Sequence, residues 1–489
     1  MSCACGGWGG VNRPVSRRCF LAATTGATMA GGLVAKAAWA WAGQGGAVAA
    51  IGPASKAVPR IKAAFVRRRG DYGMWWPGAV YDGEAARQKT TAELHAAAQS
   101  LHLDVDLRPE PIYSLPEAEA WVAEAKEAAP DGLLVLMQDR QQHAWPTATL
   151  AVDSGLPTVI HAPLGTSFTT NTRHLARRKG CFLCATDEFD QVASGLAMIR
   201  AQRKLRDTRY VVLQGDKRFE TQLIHLGTTL RYVPASDFLD EYLKTPVTDE
   251  VKSVAKAYVD RATAIASGSF QDVLNGVKSY VVARRILQRE EGDAITMDCL
   301  GALGKSKVSL PCIAWSYMLD QGIPAACEAD VNACATHALV QYLCNRPGFQ
   351  QDPVADTSHG TLIGAHCTCP TCLHGPEHPP AVYDIRHHHG NRDAVPRPVW
   401  EVGQRATVVQ FVLSDDAAKP TQMIISTGEV VANRAVPPAG GCVVSVELKL
   451  DGVADCLDYP GFHQLFVCGD FGQQLRAYCQ LFGVEPIVA

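Results

Sequence analysis

The sequence predicts an α/β fold, with helix-linked strands in its first two thirds and a β-rich C-terminal domain. Three observations carry this expectation. From Ile61 onward, short apolar runs alternate with amphipathic stretches of helical period, the pattern of βαβ units around a parallel sheet. A second alternating series opens at "GCFLCAT", residues 180–186. After about residue 375 the texture changes to β-rich runs divided by Pro and Gly. The expected divisions are 58–170, 171–350 and 351–489.

In the first division "IKAAFV" reads as a strand and "DGEAARQKTTAELHAAAQSL" as a helix. "LDVDL" reads as a strand, "LPEAEAWVAEAKEA" as a helix and "GLLVLM" as a buried strand, and "HAWPTATLAVDSG" and "PTVIHA" continue the alternation. In the second, a helix near "DQVASGLAMIRAQRKL" precedes the strand "RYVVLQ", and a mainly helical section runs from Ser236 to Arg289. Short strands return at "AITMDCL" and "PCIAWS". "VNACATHALVQYL" has apolar residues at helical spacing, and Asp330 stands where its N-cap belongs. "ATVVQFVL", "TQMIISTGEVV" and "GCVVSVELKL" supply the β-rich end, closed by a helix at "FGQQLRAYCQLFG".

The 489 residues carry a formal charge of −3 and no long basic run, so a nucleic-acid partner is not expected. "SRRCFL", Ser16 to Leu21, precedes a short apolar stretch and Ala-x-Ala sites at 38–40 and 40–42. This resembles a twin-arginine export signal over residues 1–42, with an address in the periplasm or at the cell surface and no membrane span after cleavage. The 17 cysteines are odd in number and sit mostly inside apolar patterns. They are expected to be buried free thiols rather than a disulfide framework.

The chemistry-bearing residues cluster late. "PAACEADVNAC" sets Glu328 and Asp330 two apart at a predicted strand end, where open α/β sheets bind ligands. On spacing alone a solvated loop pair is the favoured reading, since exposed carboxylates are common. If Asp330 caps the helix, Glu328 alone faces the crevice. "DPVADTSHGTLIGAHCTCPTCLHG" adds Asp352, Asp356, His359, His366 and Cys367, Cys369 and Cys372. Carboxylate with imidazole suits a divalent ion such as Mn²⁺ or Zn²⁺. The cysteines, with His366 or His374, can instead form a zinc site. The triple histidine at 387–389 reads as an exposed loop. "RRRGDYGMWWPG" follows the first strand, and Arg69 and Trp76 are candidates for stacking on a ligand.

"CEAD" before a small-residue helix, then "ADTSH", "LIGAHCTCPTC" and a late "GFHQLFVCGDFGQQLRAYCQLFGVEPIV" together resemble the L-fucose isomerase and L-arabinose isomerase family. The likeness is best over 290–375 and 455–487. It implies two Rossmann-like αβα domains followed by a β-rich C-terminal domain, with the active site between the last two. It also implies a homo-oligomer, trimer or hexamer, acting on a small-molecule sugar with Mn²⁺ or another divalent ion. By position, Glu328 and Asp356 resemble the acidic ligands and proton carriers, and His463 the C-terminal histidine ligand. His366 resembles the extra histidine of the arabinose-type enzymes. The Cys-x-Cys-x-x-Cys after it departs from both branches. The implied reaction is aldose–ketose exchange through an ene-diol. An epimerase or lyase using the same metal site, and a non-catalytic periplasmic sugar-binding protein, are the alternatives.

Overall fold

The computed structural model describes residues 52–70, 82–140, 142–304, 306, 308–388, 392–434 and 442–487. The expected export signal, Trp76 and His389 lie outside the described residues. Among the described residues no helix is long and apolar enough to cross a membrane, and the cysteines are all free thiols.

The protein is a mixed α/β structure with two largely parallel sheets and a β-rich part. The first sheet contains β1 (Arg60–Val66), β2 (Asp104–Leu107), β3 (Gly132–Met137), β4 (Thr158–His161) and β5 (Cys181–Cys184), in the order β2-β1-β3-β4-β5. Its neighbouring strands are all parallel. The all-buried run of β3 explains why "GLLVLM" shows no polar alternation: both sheet faces are covered.

β5 corrects the expected first boundary near residue 170. It pairs with β4, Thr158 opposite Cys181, and so belongs to the first sheet. The helix Asp190–Asp207 packs back on that same sheet, with Gly195 letting it approach. A Cβ there would fall within 3.0 Å of Phe182 and Val159 side-chain atoms. Alternation in a sequence reveals a strand but not which sheet it joins.

The second sheet holds β6 (Arg209–Leu213), β7 (Phe219–Gln222), β8 (Thr229–Val233), β9 (Ala294–Met297) and β10 (Ala325–Cys327), in the order β10-β9-β6-β8-β7. Only β7 runs antiparallel within it. The expected strand "PCIAWS" is instead the start of a helix, Cys312–Asp320, buried at every position. A helix covered all round reads as a continuous apolar run, which its period cannot distinguish from a buried strand.

The C-terminal part begins with β11 (Phe349–Asp356) and β12 (Thr361–His366), followed by a hairpin of β13 (Tyr383–His388) and β14 (Arg392–Pro398). His387 and His388 therefore end a strand, with His388 buried, rather than lying in an exposed loop. β15 (Arg405–Val412), β16 (Gln422–Asn433), β17 (Val444–Leu450) and β18 (Gln464–Cys468) complete a ring ordered β15-β18-β11-β12-β17-β16. Pairing of β15 with β16 closes it into a six-stranded barrel, and β19 (Glu485–Ile487) adds to β16. A core that includes Phe65, Leu196, Leu339, Phe411 and Tyr478 runs from the first sheet through helix Val331–Cys344 to the barrel.

Candidate metal centre

β10 stops at Cys327, and a side chain from the barrel holds its end. The Cys327 N–H donates to Oε1 of Gln350 at 2.8 Å, and its carbonyl accepts from Nε2 of the same amide at 3.4 Å. Gln350 is buried on β11 and stands in for a neighbouring strand on the open side of β10. The chain then turns through Glu328 (φ 61°) and Ala329 (φ 55°), both in the left-handed region. Asp330 follows as the helix N-cap, accepting the Ala333 N–H at 2.8 Å.

His463 stands immediately before β18, also left-handed at φ 58°. Each such residue costs of order 1–3 kcal/mol and persists only where its surroundings impose it, and such outliers concentrate at functional sites. Its Nδ1 lies 3.0 Å from Oδ2 of Asp330, which leaves Nε2 to face the other donors. That Nε2 is 3.7 Å from Oε2 of Glu328 and 3.2 Å from Oδ1 of Asp352. His366, the last residue of β12, puts Nε2 3.7 Å from Oε1 of Glu328.

Glu328, His366 and His463 each offer a ligand atom, all within 4.8 Å of one another, and so form one of two candidate metal-ligand groups among the described residues. Donors sharing a cation at bonds of about 2.1 Å sit roughly 3.0–3.4 Å apart, so these separations fit an ion after small side-chain shifts. Both histidines are buried, whereas Glu328 is 38% exposed at the mouth. The donor set of carboxylate oxygen and imidazole nitrogen suits a divalent first-row ion.

The electrostatics agree with a site built for positive charge. The Glu328 carboxyl is lowered, first by its hydrogen bond with His366 and then by the nearby His366 and His463 charges, against burial. Burial pushes His463 down, but hydrogen bonds to Asp330 and Asp352 outweigh it and hold the imidazole at about 9. A proton on His463 and a divalent ion therefore compete for the same carboxylate-lined space.

Of the residues expected from the sequence, the structure brings Glu328, His366 and His463 together and places Asp356 elsewhere. Asp356 is four residues beyond Asp352 on β11, about 13 Å along the strand. There it joins the second candidate group, with His359 and Glu447. Arg434 occupies that group, with Nη2 3.0 Å from Asp356 and Nε 2.5 Å from Glu447. Hydrogen bonds from Ser358 and then His359 hold the Asp356 carboxyl well below the usual range. A guanidinium already supplies the positive charge there. Asp352, named in the sequence beside Asp356 but not assigned as a ligand there, faces His463 instead. β11 pairs Gln351 with Gln464 on β18, which carries Asp352 to the rung beside His463. No period within "DPVAD" chooses between its two acids; only the cross-strand register does.

Arg69 stacks over Tyr113 at 4.4 Å and lies 3.7 Å from Glu117, away from the Glu328 group. The zinc alternative is not assembled: no cysteine enters either metal-ligand group among the described residues. Cys369 faces Trp400 and Cys372 faces Asp320. Cys367 hydrogen-bonds Cys442, which lowers the Cys442 thiol to about 7.

No protein-family model and no curated protein matches this chain. A solved structure described as a mutant of the XylFII-LytSN complex aligns over 58% of this chain and 91% of its own, at 13% identity and a TM-score of 0.18. A likeness at that level carries no argument.

Proposed function

We propose that the protein is a metal-dependent aldose–ketose sugar isomerase. The observation that carries this reading is the convergence of two carboxylates and two imidazoles, Glu328, Asp352, His366 and His463, with two of the four on left-handed backbone. These four residues would hold a divalent ion, Mn²⁺ being the candidate favoured by the resemblance in sequence. Such an ion supplies Lewis acidity to adjacent hydroxyl and carbonyl oxygens.

The chain's own groups then divide the work. Glu328, partly exposed and kept ionised by His366, would take the proton from the carbon beside the carbonyl. Asp352, which shares the His463 Nε2 with Glu328, would manage the proton exchanged between the two oxygens. Asp330 holds His463 in one orientation and one tautomer. In this reading the two parallel sheets are Rossmann-like domains, and the barrel is the β-rich domain that completes the site. The enzyme would work as a homo-oligomer, exported by the twin-arginine route to the periplasm or cell surface.

Metal analysis followed by a panel of aldoses in D₂O tests the proposal. Deuterium entering C1 or C2 of one sugar is the expected result. Full metal loading with no exchange into any aldose or ketose would overturn it.

A further inference from the structure

We propose that Gln351, Gln410 and Gln464 are positioning residues for the metal centre: their amides clamp the turn at 460–462 and so set where the His463 imidazole stands. The inference deepens the reading of Glu328, Asp352, His366 and His463 as a metal centre and rests on it. The three side chains come from three strands, β11, β15 and β18, and all are buried. Each stands two positions from an apolar residue of one core, Phe349, Val408 and Phe466, and so shares its face of the barrel. Register brings them together. Gln351 is the Cα partner of Gln464, and the pairing of β15 with β18 ends at Val409 and Leu465, one rung short of Gln410 and Gln464.

Their hydrogen bonds run in series toward the site. Nε2 of Gln351 donates to Oε1 of Gln464 at 3.3 Å. Nε2 of Gln464 in turn donates to the Pro460 carbonyl, and Nε2 of Gln410 donates to the Phe462 carbonyl. The two carbonyls flank Gly461, which is left-handed at φ 89°. A Cβ there would fall within 3.0 Å of Gln410 Oε1, Ile424 Cδ1 and Gln464 Nε2, so the turn lies directly against the amides that hold it. His463 follows on its own left-handed backbone, with Nδ1 against Asp330. The imidazole is thus fixed from two sides, by a carboxylate on the ring and by the clamp on the backbone that carries it.

Stability alone does not account for these side chains. Oε1 of Gln351 and Oε1 of Gln410 are buried with no hydrogen-bond partner among the described residues. A buried polar atom left unpaired is destabilising, and apolar side chains of similar volume would fill the same space without that cost. Nor does the turn require amides from inside the barrel. Pro460 is half-buried and Gly461 and Phe462 are exposed, so water could serve their carbonyls at the surface. The chain turns two of those carbonyls inward instead, onto fixed donors. That arrangement suits a turn that must present one imidazole nitrogen to two carboxylates, since about 1 Å of looseness is enough to spoil a site.

The test uses the full chain, with Mn²⁺ as the probe. Gln410→Met keeps a side chain of similar length and removes the amide, and Gln464→Met does the same one step along the series. In the metal-free protein, backbone hydrogen exchange of the peptide spanning 459–465 should quicken on the order of fivefold in each variant, the scale of one lost hydrogen bond. Mn²⁺ affinity should fall about tenfold, the scale of lost ligand support. In an H463A background, which keeps Glu328, Asp352 and His366, Gln410→Met should change Mn²⁺ affinity by less than about twofold. Unchanged exchange in both variants would overturn the clamp. Faster exchange with unchanged Mn²⁺ affinity would overturn its link to the centre. An equal loss of affinity with and without His463 would reduce the glutamines to a structural role. Absence of Mn²⁺ binding by the native chain would remove the metal-centre reading, with the clamp still decided by exchange.

Discussion

Asp330 joins His463 across 133 positions of sequence, its Oδ2 lying 3.0 Å from the imidazole Nδ1 while Oδ1 accepts the Ala333 N–H. One carboxylate thus caps a helix and orients a candidate ligand. Asp330→Asn keeps an oxygen for the cap but replaces the oxygen that His463 requires. Mn²⁺ affinity should fall about 10–100-fold, while global stability changes by less than about 1 kcal/mol. Calorimetric titration with Mn²⁺ and urea unfolding measure the two effects separately. A large loss of stability with intact Mn²⁺ affinity would reverse the assignment.

Asp352 and Asp356 are four residues apart on one strand and should behave oppositely. Asp352→Asn should weaken Mn²⁺ binding at least about tenfold. Asp356→Asn should leave binding unchanged, because Arg434 and His359 occupy that carboxylate. Equal losses in both variants would count against the geometry described above.

The His463 imidazole, at about 9 in the ion-free chain, gives metal uptake a defined pH dependence. Binding must expel the Nε2 proton, so affinity should rise by about tenfold per pH unit below about pH 9 and level off above it. The same proton has a linkage consequence in the ion-free protein. A histidine raised on folding contributes stability that is fully present below its ordinary 6.5 and lost as pH rises through about 9. Proton release measured in two buffers of different ionisation enthalpy checks the first statement. Unfolding of metal-free protein between pH 6 and 10 checks the second.

Asp320 provides the opposite case. Burial raises its carboxyl from 3.8 to about 6, against hydrogen bonds from the Cys372 N–H and the Thr371 hydroxyl. A carboxyl raised on folding has no penalty below its unfolded value and its full penalty above its folded one. Between pH 4 and 7 this group should therefore cost up to about 3 kcal/mol of stability. Asp320→Asn should remove that slope, visible as a variant-minus-native stability difference that grows with pH.

Much of the helix-and-strand order was legible because amphipathic periods are local. β3, helix Val331–Cys344 and the Asp330 cap all lie where the pattern places them. Helix Cys312–Asp320 was not, since burial on every side erases the period that identifies a helix. For the candidate site, Glu328, His366 and His463 stand out as ligand types at element ends. Choosing Asp352 over Asp356 requires the β11–β18 register, a contact between residues more than a hundred positions apart. Gln350 left no sequence signal at all, because its role depends only on the strand end that folds against it.

β18 lies between β15 and β11 in the barrel, and His463 immediately precedes it. The ring cannot shut until β18 takes that place, and the same motion delivers the last nitrogen to Glu328 and Asp352. The full candidate ligand set therefore exists only in the closed barrel. A chain stalled short of β18 would be left with Glu328, Asp352 and His366 and would lack the His463 nitrogen. If the proposed ion binds there, its occupancy would report that the last barrel strand is in place.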